Sequence, residues 1–131
     1  MISPSFVSNI LTDKKHQKQL VEWSEYKKWD LLYRATRDGK SANVFHSKCD
    51  DQGPTIVVIK AGNNIFGGYA SCSWNSSNSY INAPGSWLFS LVNPYNNPPS
   101  KHHLRSNAAN AMCGGSNRGP TFGSNHDICK F

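Results

Sequence analysis

Apolar residues recur at helical spacing near the start of the chain. Within residues 8–23 they cluster around Ile10 and again around Leu20, with polar residues between them. This spacing predicts an amphipathic helix that runs to the end of the segment. A side-chain oxygen just before a helix satisfies amides of its first turn, so Thr12 or Asp13 is the expected N-cap.

The apolar segments that follow alternate with turn residues. Residues 29–36 are rich in aromatic and aliphatic side chains, which favours a strand, and the Asp-Gly pair at 38–39 marks a turn after it. Residues 41–49 carry apolar residues at helical offsets and predict a short helix that begins at Ser41. The Gly-Pro pair at 53–54 is expected to stop this helix, because proline lacks an amide hydrogen and has a fixed φ.

Two segments rich in β-branched and aromatic residues flank an asparagine pair. Residues 55–60 read TIVVIK and predict a buried strand, and residues 65–74 predict its return strand. Asn63 and Asn64 suit the hairpin turn, because asparagine tolerates positive φ. The glycine pair at 67–68 would weaken an ordinary strand. It therefore indicates a bulge or a close approach by another backbone.

The second half of the chain is less regular. Residues 87–92, WLFSLV, predict a buried strand, and the proline-rich residues 93–100 predict a loop. Residues 107–113 predict a short strand, residues 114–124 a glycine-rich connection, and residues 127–130 the start of a last strand. Together these segments predict one domain over the whole chain. Its class is α+β, mainly β, as a two-layer antiparallel β-sandwich flanked by short helices.

Composition narrows the functional classes. A chain of 131 residues seldom builds more than one core, and its net charge of +6 invites a search for a nucleic-acid surface. Basic residues do not interleave with stacking aromatics, so specific nucleic-acid binding is not expected. No segment approaches the about 20 apolar residues of a membrane span, and the N-terminus lacks the pattern of a secretory signal. The four widely spaced cysteines favour reduced thiols in a cytoplasmic protein, and their even number in a small chain leaves disulfides as the alternative.

Two H-x-x-C motifs are the first candidates for chemistry. His46 and Cys49 lie three apart on the predicted short helix, and His126 and Cys129 repeat the spacing near the C-terminus. Thiolate and imidazole are zinc ligands, so the two pairs suggest a metal cluster. Against this, a strand at Cys129 would not aim both members of its pair the same way, and apolar neighbours favour packing. We expect no metal and no other cofactor.

A cysteine nucleophile is the second candidate. Cys49 or Cys72 could be activated by His126, with Asp127 orienting the imidazole. Lone cysteines in intracellular domains are more often inert core residues than nucleophiles. The glycine pairs lack the lysine and the serine or threonine of a phosphate-binding loop, so no nucleotide site is indicated.

Structural roles account for the remaining conspicuous side chains. Arg34 and Arg37 lie close to Asp38, and an arginine beside a turn commonly pairs with its carboxylate and fixes the turn. The four tryptophans supply large areas for burial in a thin core. A partner-binding aromatic patch is the alternative for Trp23 or Trp87.

Three segments in order resemble the TLDc domain, found in oxidation resistance proteins and nuclear receptor coactivator relatives. They are residues 29–74 (WDLLYRATRDGKSANVFHSKCDDQGPTIVVIKAGNNIFGGYASCSW), residues 87–94 (WLFSLVNP) and residues 119–128 (GPTFGSNHDI), and the predicted first helix resembles the domain's opening helix. The matched fold-signature positions are Trp29, Tyr33, Arg34, Asp38, Gly39, Phe45, Gly53, Pro54, Thr55, Gly67, Gly68, Trp74, Gly119, Pro120, Phe122 and Gly123. The matched positions that could carry chemistry are His46, Cys49, His126 and Asp127.

The resemblance implies a β-sandwich of two antiparallel sheets flanked by helices. It also implies a link to protection from oxidative stress, and for some members binding to the vacuolar proton-pumping ATPase. The family has no agreed catalytic residues, so the resemblance leaves enzyme activity open. It implies that a complete domain continues for several strands beyond the His-Asp segment. This chain ends at Phe131, and we therefore expect an unpaired sheet edge with exposed apolar surface.

Two functional hypotheses follow from the residues and the resemblance. The first is a non-enzymatic protein-interaction module linked to oxidative stress protection. Its expected partner is a protein, with the vacuolar proton-pumping ATPase as the named candidate. The alternative is a thiol- or metal-dependent antioxidant enzyme centred on Cys49, His46, Cys129 and His126.

Overall fold

The computed structural model describes residues 5–6, 8–26, 28–103, 108–123 and 127–129. Within them lie three helices, α1 (Lys14–Ser24), α2 (Ala35–Asp38) and α3 (Ala42–Cys49). Ten strands are described: β1 (Ser5–Phe6), β2 (Lys28–Trp29), β3 (Thr55–Ala61), β4 (Asn64–Ala70), β5 (Tyr80–Ile81), β6 (Trp87–Val92), β7 (Ser100–His103), β8 (Met112–Cys113), β9 (Thr121–Phe122) and β10 (Ile128–Cys129). A 3-10 turn, Ala108–Asn110, precedes β8.

The two predicted helices are present. The Asp13 carboxylate accepts a hydrogen bond of 2.9 Å from the Lys15 amide and caps α1, as predicted for that position. Helix α3 begins at Ala42, one residue after the predicted start at Ser41. It ends at Cys49, the last residue of the predicted segment and before the Gly-Pro pair that was expected to stop it. Asp50 is already extended, with φ −63° and ψ 143°, and bridges to Trp74. This bridge to another segment ends the helix early.

Two four-stranded antiparallel sheets form the body of the molecule. Sheet I has the strand order β3-β4-β6-β7, and sheet II has the order β10-β9-β8-β5. The short strands β1 and β2 pair in parallel and were not predicted as such a pair. The predicted class, α+β and mainly β with two antiparallel sheets and short helices, is confirmed.

The central hairpin matches its prediction closely. Strands β3 and β4 pair along their full lengths and are joined by Gly62 and Asn63, so the turn lies one residue earlier than predicted. Gly62 has φ 61°, a conformation that glycine adopts without steric cost at the first position of such a turn. Strand β4 ends at Ala70, earlier than predicted. The Ser71 amide instead donates to the Ser86 hydroxyl at 3.0 Å.

Both features that the glycine pair predicted as alternatives, a bulge or a close approach by another backbone, are found in β4. The pairing of β4 with β6 shifts register between Ile65 and Phe66, next to the pair. A Cβ atom at Gly67 would overlap the Val57 carbonyl oxygen and lie 2.8 Å from Cζ of Phe89. The neighbouring backbone and a core aromatic ring therefore occupy the volume of a side chain at this position.

The strand predicted over residues 29–36 is wrong. Only its first residue belongs to a strand, and helix α2 begins at Ala35. The Asp38 carboxylate accepts a hydrogen bond of 2.9 Å from the Arg34 amide, which turns the chain into α2. Leu32 and Tyr33 pack against the core from an irregular segment. Burial therefore explains the apolar pattern without strand pairing.

The second half is more strand-rich than predicted. Strand β6 has the predicted bounds, and β7 begins at Ser100, the last residue of the predicted loop. The strand predicted over 107–113 is reduced to β8, because residues 108–110 form the 3-10 turn; Asn107 lies outside the described residues. The connection predicted over 114–124 contains β9, and the last predicted strand is present as β10.

Sheet I lies between two apolar clusters. We call the cluster between sheet I, sheet II and α3 the inner core; its buried members are Phe45, Cys49, Ile59, Ala70, Trp74, Ala83, Ala111, Met112, Phe122 and Ile128. The cluster between sheet I and α1 is the outer core, with Leu11, Leu20, Ile65, Trp87, Phe89 and Leu91. Side chains alternate across a strand, so β6 sends Trp87, Phe89 and Leu91 outward and Leu88 inward.

Candidate functional site: the His46 network and the adjoining concavity

His46 lies in the last turn of α3 and is bonded at both ring nitrogens. Its Nδ1 lies 2.7 Å from Oδ1 of Asp50, and its Nε2 lies 2.9 Å from the Gly115 carbonyl and 2.8 Å from the Arg118 carbonyl. Asp50 also accepts from the Ser76 hydroxyl at 2.7 Å. We call these five residues the His46 network. It ties α3 to loops that are distant in sequence.

The partners of His46 accept hydrogen bonds and do not donate them. A carboxylate and two carbonyls together require a hydrogen on both ring nitrogens, which makes the ring an imidazolium. Burial opposes this charge, but hydrogen bonds to Asp50 and to the Arg118 and Gly115 carbonyls outweigh it and raise the pKa of His46. The C-terminal end of a helix also favours a cation. Both N–H groups of the imidazolium are therefore bonded to protein acceptors, and we assign the charge of His46 a structural role.

We expect the stability of the domain to fall as pH rises through the folded-state pKa of His46. That pKa is raised above the usual value of 6.5, so the imidazolium stabilises the fold fully at pH values below the unfolded pKa. Deprotonation at higher pH removes a donor and with it this stabilisation. Urea unfolding at a series of pH values measures the effect.

A His46→Gln variant is the control for that measurement. Glutamine keeps an amide donor near the two carbonyls but does not titrate, so its unfolding free energy should depend less on pH in the same range. Equal pH dependence in the two proteins would contradict the assignment.

Cys49 lies one helical turn after His46 and faces the inner core. Its side chain is 6% exposed. Burial first, and the nearby Asp50 charge second, raise the pKa of its thiol to about 12. The thiolate is the nucleophilic and metal-binding form of cysteine, so this environment suppresses both kinds of chemistry. No group of three or more potential metal-ligating side chains occurs among the described residues.

The other candidate catalytic residues do not gather around Cys49. His126 lies outside the described residues, while Asp127 is exposed just before β10. Cys129 is exposed on β10, where its sulfur lies 3.5 Å from the Thr121 hydroxyl. Cys72 is half-buried against the inner core. Within the described part of the chain, these groups form no nucleophile–base pair.

The aromatic fold-signature positions build the inner core. Trp74 is fully buried, and its ring meets Phe45 at 5.6 Å and Phe122 at 5.3 Å between centroids, both edge-on. Its indole nitrogen donates to the Thr55 hydroxyl at 2.9 Å. Tyr33 packs edge-on against Phe45. A Trp–Phe–Phe arrangement of this kind adds geometric specificity to burial.

Fold-signature positions at the chain turns make backbone contacts. Asp38 is paired with Arg37 at 2.7 Å and bonded to the Arg34 amide, and both contacts hold the pKa of its carboxyl well below the usual range. The predicted arginine–carboxylate pair is therefore present, with Arg37 as its cation. Tyr33 donates to the carbonyl of Gly39.

The remaining signature residues line turns or support the core. The Gly53 amide donates to the Ser73 hydroxyl at 2.8 Å, and Pro54 is exposed. Gly119 and Pro120 are buried before β9. Gly123 has φ 85°, and a Cβ atom there would also overlap the Asp127 carboxylate. Trp29 is half-buried and stands edge-on to Tyr26, Gly39 follows α2 with φ 103°, and Gly68 faces the ring of Phe122.

A concavity of about 340 Å³ adjoins the His46 network. Its lining residues are Asn78, Ser79, Tyr80, Cys113, Gly115, Asn117 and Arg118. Sequence reasoning missed it, because its loops read only as polar and glycine-rich connections. The one sequence signal for the network is the spacing of His46 and Asp50, four residues apart at a helix end.

Residues 5–131 match the family model described as the TLDc domain. The chain belongs to the TLDc domain family. It is 32% identical over 66 residues to the MTOR-associated protein MEAK7 of Mus musculus, covering 50% of this chain and 14% of that protein. It is 30% identical over 93 residues to the MTOR-associated protein MEAK7 of Xenopus laevis, covering 70% of this chain and 20% of that protein. The match thus spans a fifth or less of the relatives' own length.

Membership of the TLDc family agrees with the two antiparallel sheets and short helices of the fold. No helix among the described residues is long and apolar enough to cross a membrane.

Proposed function

We propose that this TLDc domain is a non-enzymatic protein-interaction module. The observation that carries the proposal is the state of the groups most suited to catalysis. Both ring nitrogens of His46 are bonded to acceptors, and the thiol of Cys49 is buried with its pKa raised to about 12. A nucleophile and a base need reactive forms within reach of each other, and these two residues instead stabilise the fold.

The two relatives are named as MTOR-associated proteins, and this supports a partner in mTOR-associated assemblies. Family resemblance supports the vacuolar proton-pumping ATPase as a second specific partner, with protection from oxidative stress as the outcome. We propose that the domain acts in the cytoplasm, where its four free cysteines stay reduced.

Co-purification with the tagged chain tests the proposal. We expect stoichiometric recovery of mTOR-complex components or of vacuolar ATPase subunits, measured by quantitative mass spectrometry against the tag alone. Recovery of neither would overturn the proposal. Recovery of one and not the other identifies which partner the module serves.

A paired survival assay separates the module from a thiol-dependent antioxidant. Cells expressing the wild-type chain and a Cys49→Ser, Cys129→Ser double variant are exposed to peroxide, and we expect equal protection. Circular dichroism verifies the fold of the variant, and Cys49→Ala replaces Cys49→Ser if the buried hydroxyl destabilises it. Loss of protection in a folded variant that still binds its partner would favour the enzymatic alternative.

A further inference from the structure

Strand β3 forms one edge of sheet I and is seven residues long. The other edge strands of sheets I and II are shorter, with four residues in β7 and two each in β5 and β10. The register of β3 with β4 runs without a bulge from Thr55 to Ala61, and no proline interrupts it. Natural edge strands usually carry bulges, prolines or several charges, because an open edge pairs readily with another chain. Strand β3 has a single charged residue, Lys60.

Alternate residues of β3 direct their backbone groups away from β4. The two-residue turn makes Ala61 and Asn64 a hydrogen-bonded pair, and such pairs alternate along an antiparallel ladder. The odd-numbered residues of β3 therefore bond to β4, while the N–H and C=O groups of Ile56, Val58 and Lys60 point to the open edge. Within the described part of the chain, no other group bonds to the backbone of these three residues. One row of three donors and three acceptors is thus available.

Apolar side chains of β3 lie on both sides of this row. Ile56 and Val58 pack on the outer core and Val57 packs on the inner core, and all three are only partly buried. Side chains of neighbouring strands lie beside each other on each face of a sheet. A strand added to this edge would therefore cover apolar area on both faces as well as pair the backbone.

We propose that the open edge of β3 binds an extended segment of a partner protein as a fifth strand of sheet I. This inference rests on the proposed function as an interaction module and names its contact surface. In such binding the main-chain bonds give affinity and the alternate side chains give specificity. The segment has β-branched or aromatic residues at alternate positions and an acidic residue opposite the exposed Lys60. The net charge of +6 favours this partner over a second copy, because two copies repel each other.

Amide hydrogen exchange followed by NMR locates the segment on the 131-residue chain. The probe is the peptide EVTVTVE, whose terminal glutamates allow either strand orientation to place one beside Lys60. In the free chain the amides of Ile56, Val58 and Lys60 should exchange faster than those of Val57 and Ile59. Peptide at about ten times its dissociation constant should slow the three open-edge amides about tenfold and leave β7 unchanged. Absence of protection at these three residues would overturn the proposal.

Two N-methylated forms of the peptide test whether the backbone makes the contact. One form carries methyl groups on the amides of its odd positions and the other on its even positions, so each keeps its donors on one edge only. We expect one form to bind within about twofold of the unmodified peptide and the other at least about tenfold more weakly, as measured by fluorescence anisotropy. Equal binding of the two forms would overturn the proposal, because side chains alone would then hold the peptide.

Lys60→Ala and Lys101→Ala test the acidic residue of the segment. Lys60→Ala should weaken peptide binding about two- to fivefold through loss of a cross-strand charge pair. Lys101→Ala is the matched control, because it removes the same charge from β7, the third strand along from β3 in the same sheet. A charge about 14 Å away is screened, so the effect should stay below about twofold. Equal effects would overturn the proposed acidic contact at Lys60.

The chain alone tests the competing occupant. Its open-edge amides should exchange at a rate that does not depend on the concentration of the chain. Protection that increases with this concentration would identify a second copy as the occupant and overturn the proposal.

The co-purification assay separates failure of this inference from failure of the proposed function. Val58→Pro blocks the open edge and keeps the bonds to β4, because the proline ring replaces an amide hydrogen that points outward. Lys60→Pro replaces it if circular dichroism shows that Val58→Pro is unfolded. If the wild-type chain recovers no partner, the interaction module itself is rejected.

The comparison with the proline variant then decides the surface. If wild type and a folded proline variant recover the same partner equally, the module stands and β3 is not its docking site. Selective loss of the partner from the proline variant supports both.

Discussion

Replacing Gly67 with alanine is expected to destabilise the domain by about 3 kcal/mol or more, through overpacking that the hairpin cannot relieve. The added Cβ would overlap the Val57 carbonyl oxygen and lie 2.8 Å from Cζ of Phe89. Backbone cannot rotate away as a flexible side chain can, so β3 and β4 must separate or shift register. Urea unfolding followed by tryptophan fluorescence measures the loss.

Gly115→Ala is the matched control for this substitution. A Cβ atom at Gly115 has the side-chain carbons of Arg118 as its nearest neighbours, at 3.6 Å or more, which is ordinary contact. We expect a change in unfolding free energy within about 0.5 kcal/mol. An unfolding midpoint of Gly67→Ala equal to that of the wild type would show that the close approach is not a constraint.

Replacing Trp74 with alanine is the second large effect, at about 3–5 kcal/mol. Trp74 is fully buried between Phe45 and Phe122, and its indole nitrogen bonds the Thr55 hydroxyl. Truncation leaves a cavity at the junction of both sheets and an unpaired hydroxyl. Far-ultraviolet circular dichroism during thermal unfolding is the suitable measurement, because the substitution removes a fluorophore.

Two further variants provide a smaller expected loss of stability and a control at an exposed ring. Trp74→Phe keeps an aromatic ring but loses the hydrogen bond and part of the volume, so we expect a loss of about 1–2 kcal/mol. Tyr95→Ala removes a ring that is 81% exposed and should change stability by less than about 0.5 kcal/mol. Similar losses for Trp74→Ala and Tyr95→Ala would refute the central role of Trp74.

Local pattern predicted the elements whose pairing partners are close in sequence. Strands β3 and β4 are adjacent, and their β-branched and aromatic residues predict both of them. Capping is also local, so the sequence restricts the N-cap of α1 to Thr12 or Asp13, and the structure has Asp13. Leu32 and Tyr33 have the same apolar character but pack on the core from a segment without strand pairing. The Asp38 carboxylate binds the Arg34 amide there and turns the chain into α2. Composition alone does not distinguish a paired strand from a buried irregular segment.

The site was harder to predict for a different physical reason. His46 was identified from its spacing to Cys49, but its real partners include carbonyls 69 and 72 residues away. Every residue has a backbone carbonyl, so the residue types in the sequence do not indicate which carbonyls His46 binds. The two-residue strand β5, whose Tyr80 lines the concavity, is likewise too short to leave a periodic signal.

Sheet I contributes side chains to the outer core on one face and to the inner core on the other. Within β6, Trp87, Phe89 and Leu91 lie in the outer core and Leu88 packs on the inner core. Neither cluster can therefore melt while the other remains intact. We therefore expect the domain to unfold as a single cooperative unit. A substitution that destabilises the outer core under α1 should then also promote unfolding of the loops around Arg118.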